Sequence, residues 1–499
     1  MSTCRGRWFG GAIVLAAFVV AGCTPADLPP PPNVLFIAID DLNDWVGHLE
    51  GHPGAHTPNI DRLAEQGVFF TNAHVPAVSC TPSRQAILTG LRPATSGIYG
   101  LIHFNWREVP ELEDVVTLPQ LFRENGYRTV GGGKIFHALS WIDVAYGTNQ
   151  NDPASWDDYF PSLDRPMPDE PWPSEAWVNE AGAHEWTPAV TGTQGEWRPP
   201  WYFDWAPLDI PDAEMSDHQV ADWAIGELQR EGEDQPFFLA VGFYRPHIPW
   251  YAPRAYFDLH PLDEIVLPDV PEDPLAGLPE AGRDMGDVRR AWHQWLLEHD
   301  LWEEAVQGYF ASVSFLDHQI GRVLDALEAS PHADNTIIVL WSDHGFHLGE
   351  KETWEKFTLW EESTRVPFII AAPGLAQVGA RSDQPVDVMD TYRTLAELAG
   401  LEVDPVVEGE SLVPLLRTPE LETGRAVVST FTRDNHSVRS SRWRYIRLED
   451  GSEILYDHET DPGEHRNLAD DPAYRDVMDE LAAWLPATSH PGVRPRGVD

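Results

Sequence analysis

The sequence predicts an α/β sandwich with a large central, mostly parallel sheet and a smaller C-terminal α+β domain. Two features predict it: strand-length apolar runs alternate with helical patterns up to about residue 400, and beyond that point short strand-like segments follow one another. Residues 33–39 (NVLFIAI) form an unbroken apolar run, the pattern of a strand buried on both faces of a parallel sheet. Residues 57–67 read as a helix with Pro58 in its first turn and Gly67 as its stop. Residues 82–89 and 117–125 read as further helices, and 127–131, 237–243 and 336–341 as further strands. Residues 305–329 carry apolar side chains at helical spacing. After residue 400 the expected strands are 426–431, 437–447 and 453–456, with a terminal helix over 472–484. The expected organisation is a leader over 1–22, a Pro-rich tether over 23–32, a main domain over 33–400 and a small domain over 401–499. Residues 152–211, Pro-rich and holding seven tryptophans, interrupt the main domain. An irregular stretch of that length is usually functional or disordered, and so many indoles argue against disorder.

The chain has 499 residues, 34 basic and 80 acidic, for a net charge of −46. A nucleic-acid binder needs a basic footprint, so no nucleic-acid partner is expected. Three cysteines cannot build a disulfide framework. Arg5 and Arg7 precede an apolar stretch, residues 11–21, that is too short to span a bilayer comfortably. It ends in Val20-Ala21-Gly22-Cys23, which resembles a bacterial lipobox. That resemblance implies cleavage before Cys23, a lipid anchor on its thiol, and a place in the bacterial cell envelope. Thr24 stands where an inner-membrane retention signal would show Asp, so the expected address is the outer membrane, the periplasmic side or the cell surface. Cys80 is then the mature chain's free thiol.

Three constellations carry chemistry. Cys80-Thr81-Pro82-Ser83-Arg84 matches C-x-P-x-R ahead of a helix, where free N–H groups favour anions. Asp40-Asp41 and Asp343-His344 each end an apolar strand, the edge at which open α/β sheets bind ligands. Three carboxylates there form a hard oxygen site suited to Ca²⁺ or Mg²⁺, whereas zinc would prefer more His or Cys. Finally, the chain has only three lysines, Lys134, Lys351 and Lys356, among 34 basic residues. A lysine kept in a chain that otherwise uses arginine marks a place needing a compact ammonium.

The C-x-P-x-R motif resembles the type I sulfatase signature. Thr57-Pro58-Asn59-Ile60-Asp61-Arg62-Leu63, the segment from Gly126 to His137, and Tyr456-Asp457 through Asn467-Leu468 resemble further motifs of that family, so the likeness spans nearly the whole mature chain. Lys134-Ile135-Phe136-His137, Arg245-Pro246-His247-Ile248-Pro249 and Asp343-His344-Gly345 resemble the iduronate-2-sulfatase-like subgroup. The resemblance implies an alkaline-phosphatase-like fold and sulfuric ester hydrolysis. It implies oxidation of Cys80 to Cα-formylglycine by a formylglycine-generating enzyme. It also implies a divalent cation, usually Ca²⁺, held by Asp40, Asp41, Asp343, His344 and residue 80, with His344 the weakest ligand because imidazole suits Ca²⁺ poorly. Arg84, Lys134 and Lys356 would hold the sulfate, His247 would protonate the leaving alcohol, and His137 would act as base when sulfate is released. The expected substrate is a sulfated carbohydrate, with Arg245, Arg254 and Lys351 making the pocket locally basic. Two alternatives stand beside this reading: a phosphodiesterase or phosphonate monoester hydrolase on the same scaffold, and an inactive carbohydrate-binding surface lipoprotein.

Overall fold

The computed structural model describes residues 30–102, 104–137, 152–162, 165, 202–230 and 235–494. The leader, Cys23, the tether up to residue 29 and most of the Trp-rich insertion lie outside the described residues. Residues 32–499 form one compact unit.

Among the described residues, the two main sheets are built from β1 (Asn33–Ile39), β2 (Val68–Phe70), β3 (Arg128–Gly133), β4 (Asp158–Phe160), β5 (Phe237–Phe243), β6 (Thr336–Ser342), β7 (Phe368–Ala371), β8 (Ala380–Ser382), β9 (Val427–Thr430), β10 (His436–Arg439), β11 (Trp443–Arg447) and β12 (Glu453–Asp457). The first eight make one sheet in the order β8-β2-β7-β6-β1-β5-β3-β4. Its central strands β6, β1, β5 and β3 are mutually parallel, as is the β3–β4 pair, while β7 runs antiparallel to both its neighbours.

The apolar run of β1 follows from its position. Leu35, Ile37 and Ile39 enter one core with α1 (Pro58–Gln66), while Val34, Phe36 and Ala38 enter the opposite core with α2 (Cys80–Thr89) and α3 (Leu118–Glu124). The first core is completed by α4 (Ser216–Leu228), α5 (Asp287–His299) and α6 (Trp302–Glu328), and the second by α7 (Thr391–Leu398). Both faces are covered by helices, which is why every residue of the strand after Asn33 is apolar.

The C-terminal sheet, β9-β10-β11-β12, is antiparallel throughout. One face packs Val438, Tyr445 and Leu455 on Met478 and Leu481 of α8 (Arg475–Ala482). The other sets Ile446, Ile454 and Tyr456 against Leu278, Leu359 and Trp360 of the main body. Arg444, fully buried, bridges the two by pairing with Glu361 and Glu464 and donating to the Leu359 carbonyl at 3.1 Å.

Two expectations need correction. The strand expected over 437–447 is a hairpin, β10 and β11, closed by Ser441-Arg442 with the Ser440 N–H donating to the Trp443 carbonyl at 2.9 Å. Its turn carries no Gly or Asn, the residues that advertise a tight hairpin. The insertion is not irregular throughout. Near its start β4 adds an edge strand, and near its end Trp205–Leu208 pairs with Trp250–Pro253. Trp156 and Trp205, the two described tryptophans among the seven, are buried in the cores.

Register brings the site together. Ile39, Ser342 and Phe243 align as neighbours at the sheet's C-terminal edge, and Gly133 pairs with Gly242 one residue before Phe243. The next residues along these strands are Asp40, Asp343, Tyr244 and Lys134. The β3–β5 approach depends on paired glycines. A Cβ on Gly133, which has φ +73°, would lie 1.8 Å from the Gly242 oxygen, and one on Gly242 would lie 2.2 Å from the Lys134 oxygen. Gly242→Ala should therefore force β3 outward and shift Lys134. The expected loss is about 1–3 kcal/mol of unfolding free energy, the usual result of overpacking, read from urea midpoints. An unchanged midpoint would mean the two strands have slack there.

Candidate active site

Asp40, Asp41 and Asp343 sit at the ends of β1 and β6 with no solvent exposure. Asp41 turns the chain with φ +64°, a left-handed conformation costing a non-glycine residue roughly 1–2 kcal/mol. The turn is held from several sides. The Asp41 N–H donates to Asp343 Oδ1 at 3.2 Å, and the Leu42 N–H donates to Ser342 Oγ at 3.0 Å. Tyr309, from α6, accepts from the Asn43 N–H and its hydroxyl lies 3.0 Å from the Asp41 carbonyl. Sequence reading missed both residues. Asn43 shares the Asp40-Asp41-Leu42-Asn43 run and could have been found there, whereas nothing in the local sequence marks Tyr309.

Cys80 is the first residue of α2. Its Sγ lies 3.1 Å from His344 Nε2 and 3.6 Å from Asp40 Oδ1. The expected helix start at Pro82 therefore moves back to place the thiol in the first turn, over the carboxylates. The hydroxyls of Ser79, Thr81 and Ser83 around it are buried without a partner among the described residues. Burial pushes the Cys80 thiol well above its ordinary value, so the unmodified side chain is a poor thiolate nucleophile.

Cations balance the carboxylates one by one. Arg84, buried one turn into α2, donates through Nε to Asp343 Oδ2 at 2.7 Å. Its terminal nitrogens reach the carbonyls of Lys134 (2.6 Å), Ile135 (3.0 Å) and Ile39 (3.1 Å). Lys134 Nζ pairs with Asp40 Oδ2, and Lys356 Nζ contacts both oxygens of Asp41, at 2.7 and 3.0 Å. Burial opposes ionisation of Asp40, yet Lys134, His247, Arg84 and Lys356 together hold its carboxyl well below the ordinary value. Burial, with Asp40 and Asp343 adding to it, pushes Asp41 up to about 8 against the pull of Lys356. Burial pushes Asp343 to about 6 with Arg84 opposing. Burial thus keeps Asp41 and Asp343 harder to ionise than their paired cations alone would leave them.

Ligand atoms of Asp40, Asp41, Cys80 and His344 all lie within 4.8 Å of one another. Asp343 stands beside this group, 3.5 Å from His344 Nε2, with its other oxygen turned to Arg84. A metal ion fits this donor set, because buried carboxylates that repel one another gain most from positive charge. His344 Nδ1 lies 3.1 Å from the Gly345 carbonyl and 3.2 Å from Asp41 Oδ1.

His247 follows β5. Its Nδ1 lies 2.6 Å from the Ile248 carbonyl, and its Nε2 faces Asp41 Oδ2 at 3.8 Å. His137 follows Lys134 by three residues, and both its buried ring nitrogens lack a partner among the described residues. Burial first, and then Lys134 for His137 and Lys356 for His247, hold both imidazoles well below the ordinary value.

The other expected pocket cations are committed elsewhere. Lys351 is buried and donates to the Gly463 and Glu464 carbonyls, at 3.0 and 2.5 Å, tying the loop before Lys356 to the C-terminal domain. Arg245 donates to the Tyr251 carbonyl, and Arg254 pairs with Asp209 at the surface. Among the described residues, the positive charge at the site comes from Arg84, Lys134 and Lys356.

The sulfatase family profile matches residues 32–401. The chain belongs to the sulfatase family. A second profile, the C-terminal region of N-sulphoglucosamine sulphohydrolase, matches residues 349–490. A sulfatase of Formosa agariphila is 39% identical over 471 residues, covering 92% of this chain and 87% of that protein. Human iduronate 2-sulfatase is 33% identical over 409 residues, covering 75% and 70%. Among solved structures, a complex with D-glucosamine-2-N,6-O-disulfate superposes with a TM-score of 0.67 at 22% identity, covering 91% of this chain and 96% of the other. The phosphonate monoester hydrolase of Agrobacterium radiobacter superposes at 0.68 and 22%, covering 91% and 94%. These structures share the alkaline-phosphatase-like fold. The enzyme is a sulfuric ester hydrolase with iduronate-2-sulfatase-like relatives.

Arg84 is the keystone of the sulfatase floor. Arg84→Ala strands the buried Asp343 and removes a donor from each of three carbonyls, of which that of Ile39 keeps the Asp343 N–H at 3.1 Å. Breaking a buried pair in this way costs about 3–5 kcal/mol, so the urea midpoint should fall accordingly. Arg84→Lys should recover only part, because an ammonium cannot span both edges of the fork. A midpoint for Arg84→Ala equal to wild type would remove it from this role.

Proposed function

We propose that this sulfatase removes sulfate from short sulfated carbohydrates, acting from chain ends, with Cys80 matured to formylglycine and a divalent cation, Ca²⁺ or alternatively Mg²⁺, on the carboxylate floor. The observation that carries the reading is the position of Cys80. It opens a buried helix, faces His344 and Asp40, and is ringed by Arg84, Lys134 and Lys356. Names among the relatives, iduronate 2-sulfatase and a hexuronate-2-O-sulfatase of Bacteroides thetaiotaomicron, support a sulfated sugar.

Formylglycine at residue 80, once hydrated, would supply two hydroxyls on one carbon, one for attack and one for release, and a cation held by Asp40, Asp41, Asp343 and His344 would supply positive charge to the site. The protein's own groups do the rest. Lys134 and Lys356 reach the floor as compact ammoniums, each already held by one aspartate, so they can take up sulfate oxygens without reorganising. His247, fixed at Nδ1 by the Ile248 carbonyl, presents Nε2 to the site as the acid for the departing alcohol. Burial and then Lys356 keep its proton affinity low, and the negative charge of an arriving sulfate monoester would raise it. His137, with neither ring nitrogen engaged among the described residues, is the base for release. Maturation by a formylglycine-generating enzyme, lipidation at Cys23 and an address in the bacterial outer membrane, periplasm or cell surface belong to the same proposal.

Three measurements test it. The peptide containing residue 80, from a maturation-competent host, should carry the mass of an aldehyde in place of the thiol. Fully active enzyme with an intact thiol would refute the mechanism. General acid help is typically worth ~10²–10⁴-fold and matters most for a poor leaving group. His247→Ala should therefore lose far more kcat/KM on a sugar sulfate than on nitrophenyl sulfate, while Lys356→Ala loses similar factors on both. Equal losses for His247→Ala would take it out of the acid role. The phosphonate hydrolase neighbour makes an aryl phosphonate the natural comparison substrate, and the sulfate ester should be turned over faster.

A further inference from the structure

Lys356 occupies a strained stretch of chain. Glu355 before it and Phe357 after it are both left-handed, at φ +64° and +72°, and Lys351 and Glu352 nearby are at +55°. Residues other than glycine keep such angles only where their surroundings hold them. The holding comes largely from α5, which lies outside every motif. Arg289 Nε donates to Glu355 Oε2 at 2.8 Å, and its guanidinium carbon lies 4.5 Å from the centre of the Phe357 ring. One turn further along the same helix face, His293 Nδ1 accepts from Trp354 Nε1 at 3.2 Å. At the helix start, the Gly286 carbonyl accepts from Thr353 Oγ1 at 3.0 Å. One helix therefore grips residues 353, 354, 355 and 357. On the other side, the Phe357 N–H donates to the Val78 carbonyl at 3.2 Å, two residues before Cys80.

We propose that Arg289 is a positioning residue for sulfate ester hydrolysis: by clamping Glu355 and Phe357, it fixes the backbone between them and so aims the Lys356 ammonium at the anion site. The inference rests on the proposed sulfate contact of Lys356 and adds to it the part that aims the lysine. Arg289 touches neither Lys356 nor the carboxylate floor, so its whole effect runs through the loop. A lysine at 289 could still pair with Glu355 but offers no planar face to Phe357.

The test is a double-mutant cycle on matured enzyme with nitrophenyl sulfate, a substrate with no sugar for Arg289 to contact. Misplacing a working group by about 1 Å can cost ~10²-fold, so Arg289→Ala should lower kcat/KM by roughly ten- to a hundredfold. Arg289→Lys should lie between it and wild type. Inorganic sulfate should also inhibit Arg289→Ala more weakly. The decisive result is the pair: Arg289→Ala should cost almost nothing further in a Lys356→Ala background. Phe357→Leu guards against a misfolded Arg289→Ala: it keeps the Arg289–Glu355 pair and removes the ring that faces Arg289, the Lys356 ammonium at 5.8 Å and Phe431. It should give a smaller loss that likewise vanishes without Lys356. Losses that multiply in the double variants would overturn the proposal, as would full activity in Arg289→Ala. If Lys356→Ala itself keeps the wild-type rate, the sulfate-contact reading of Lys356 fails first, and Arg289 has nothing to aim.

Discussion

Three aspartates with no solvent exposure, at the ends of two hydrogen-bonded parallel strands, set the terms for the whole molecule. Left alone, such a cluster would not stay ionised, and burial does push Asp41 and Asp343 upward. The surroundings read as the response. Arg84 reaches in from α2, Lys134 from the end of β3 and Lys356 from a loop after β6, each meeting a different aspartate. The sheet register fixes the aspartates to within a residue, since a slip of one between β1 and β6 would turn Asp40 or Asp343 to the other face. The same arrangement that is costly for folding is what an anionic ester and its cation require, a fixed field in a water-poor site.

The second domain takes part in this architecture. Lys351 spends its ammonium on carbonyls of residues 463 and 464, and Arg444 joins Glu361 to Glu464 across a buried contact. The loop carrying Lys356 is consequently held at one end by the C-terminal domain and along its length by α5. Two of the chain's scarce lysines serve the site directly, and the third anchors the loop that carries one of them.

Much of this was legible in the sequence because it follows from local rules. Strand β1 is an unbroken apolar run since both its faces are covered, and Asp40, Asp343 and Lys134 follow strand ends. Cys80 and Arg84 stand one helical turn apart, which places both on the same face of α2. Lysine scarcity pointed to Lys134 and Lys356, and misled for Lys351, because burial against carbonyls also favours a compact ammonium. Arg245 and Arg254 misled for a different reason: closeness in sequence to His247 says nothing about the Tyr251 carbonyl and Asp209 that engage them. The hairpin at Ser441-Arg442 was hidden by turn residues of ordinary composition. Arg289 and Tyr309 could not be found at all. Each lies on a helix far along the chain from the loop it supports, and only the packing of that helix reveals the partnership.

The central claim is that the aspartate floor is built around a divalent cation. It is tested most directly by titrating Ca²⁺ into chelator-stripped protein while following bound metal and the thermal midpoint together. The account predicts that one ion binds per chain and that the midpoint rises with occupancy, since the ion binds the folded state and relieves its buried carboxylates. An absence of bound ion, with a midpoint indifferent to Ca²⁺ and to Mg²⁺ alike, would contradict it.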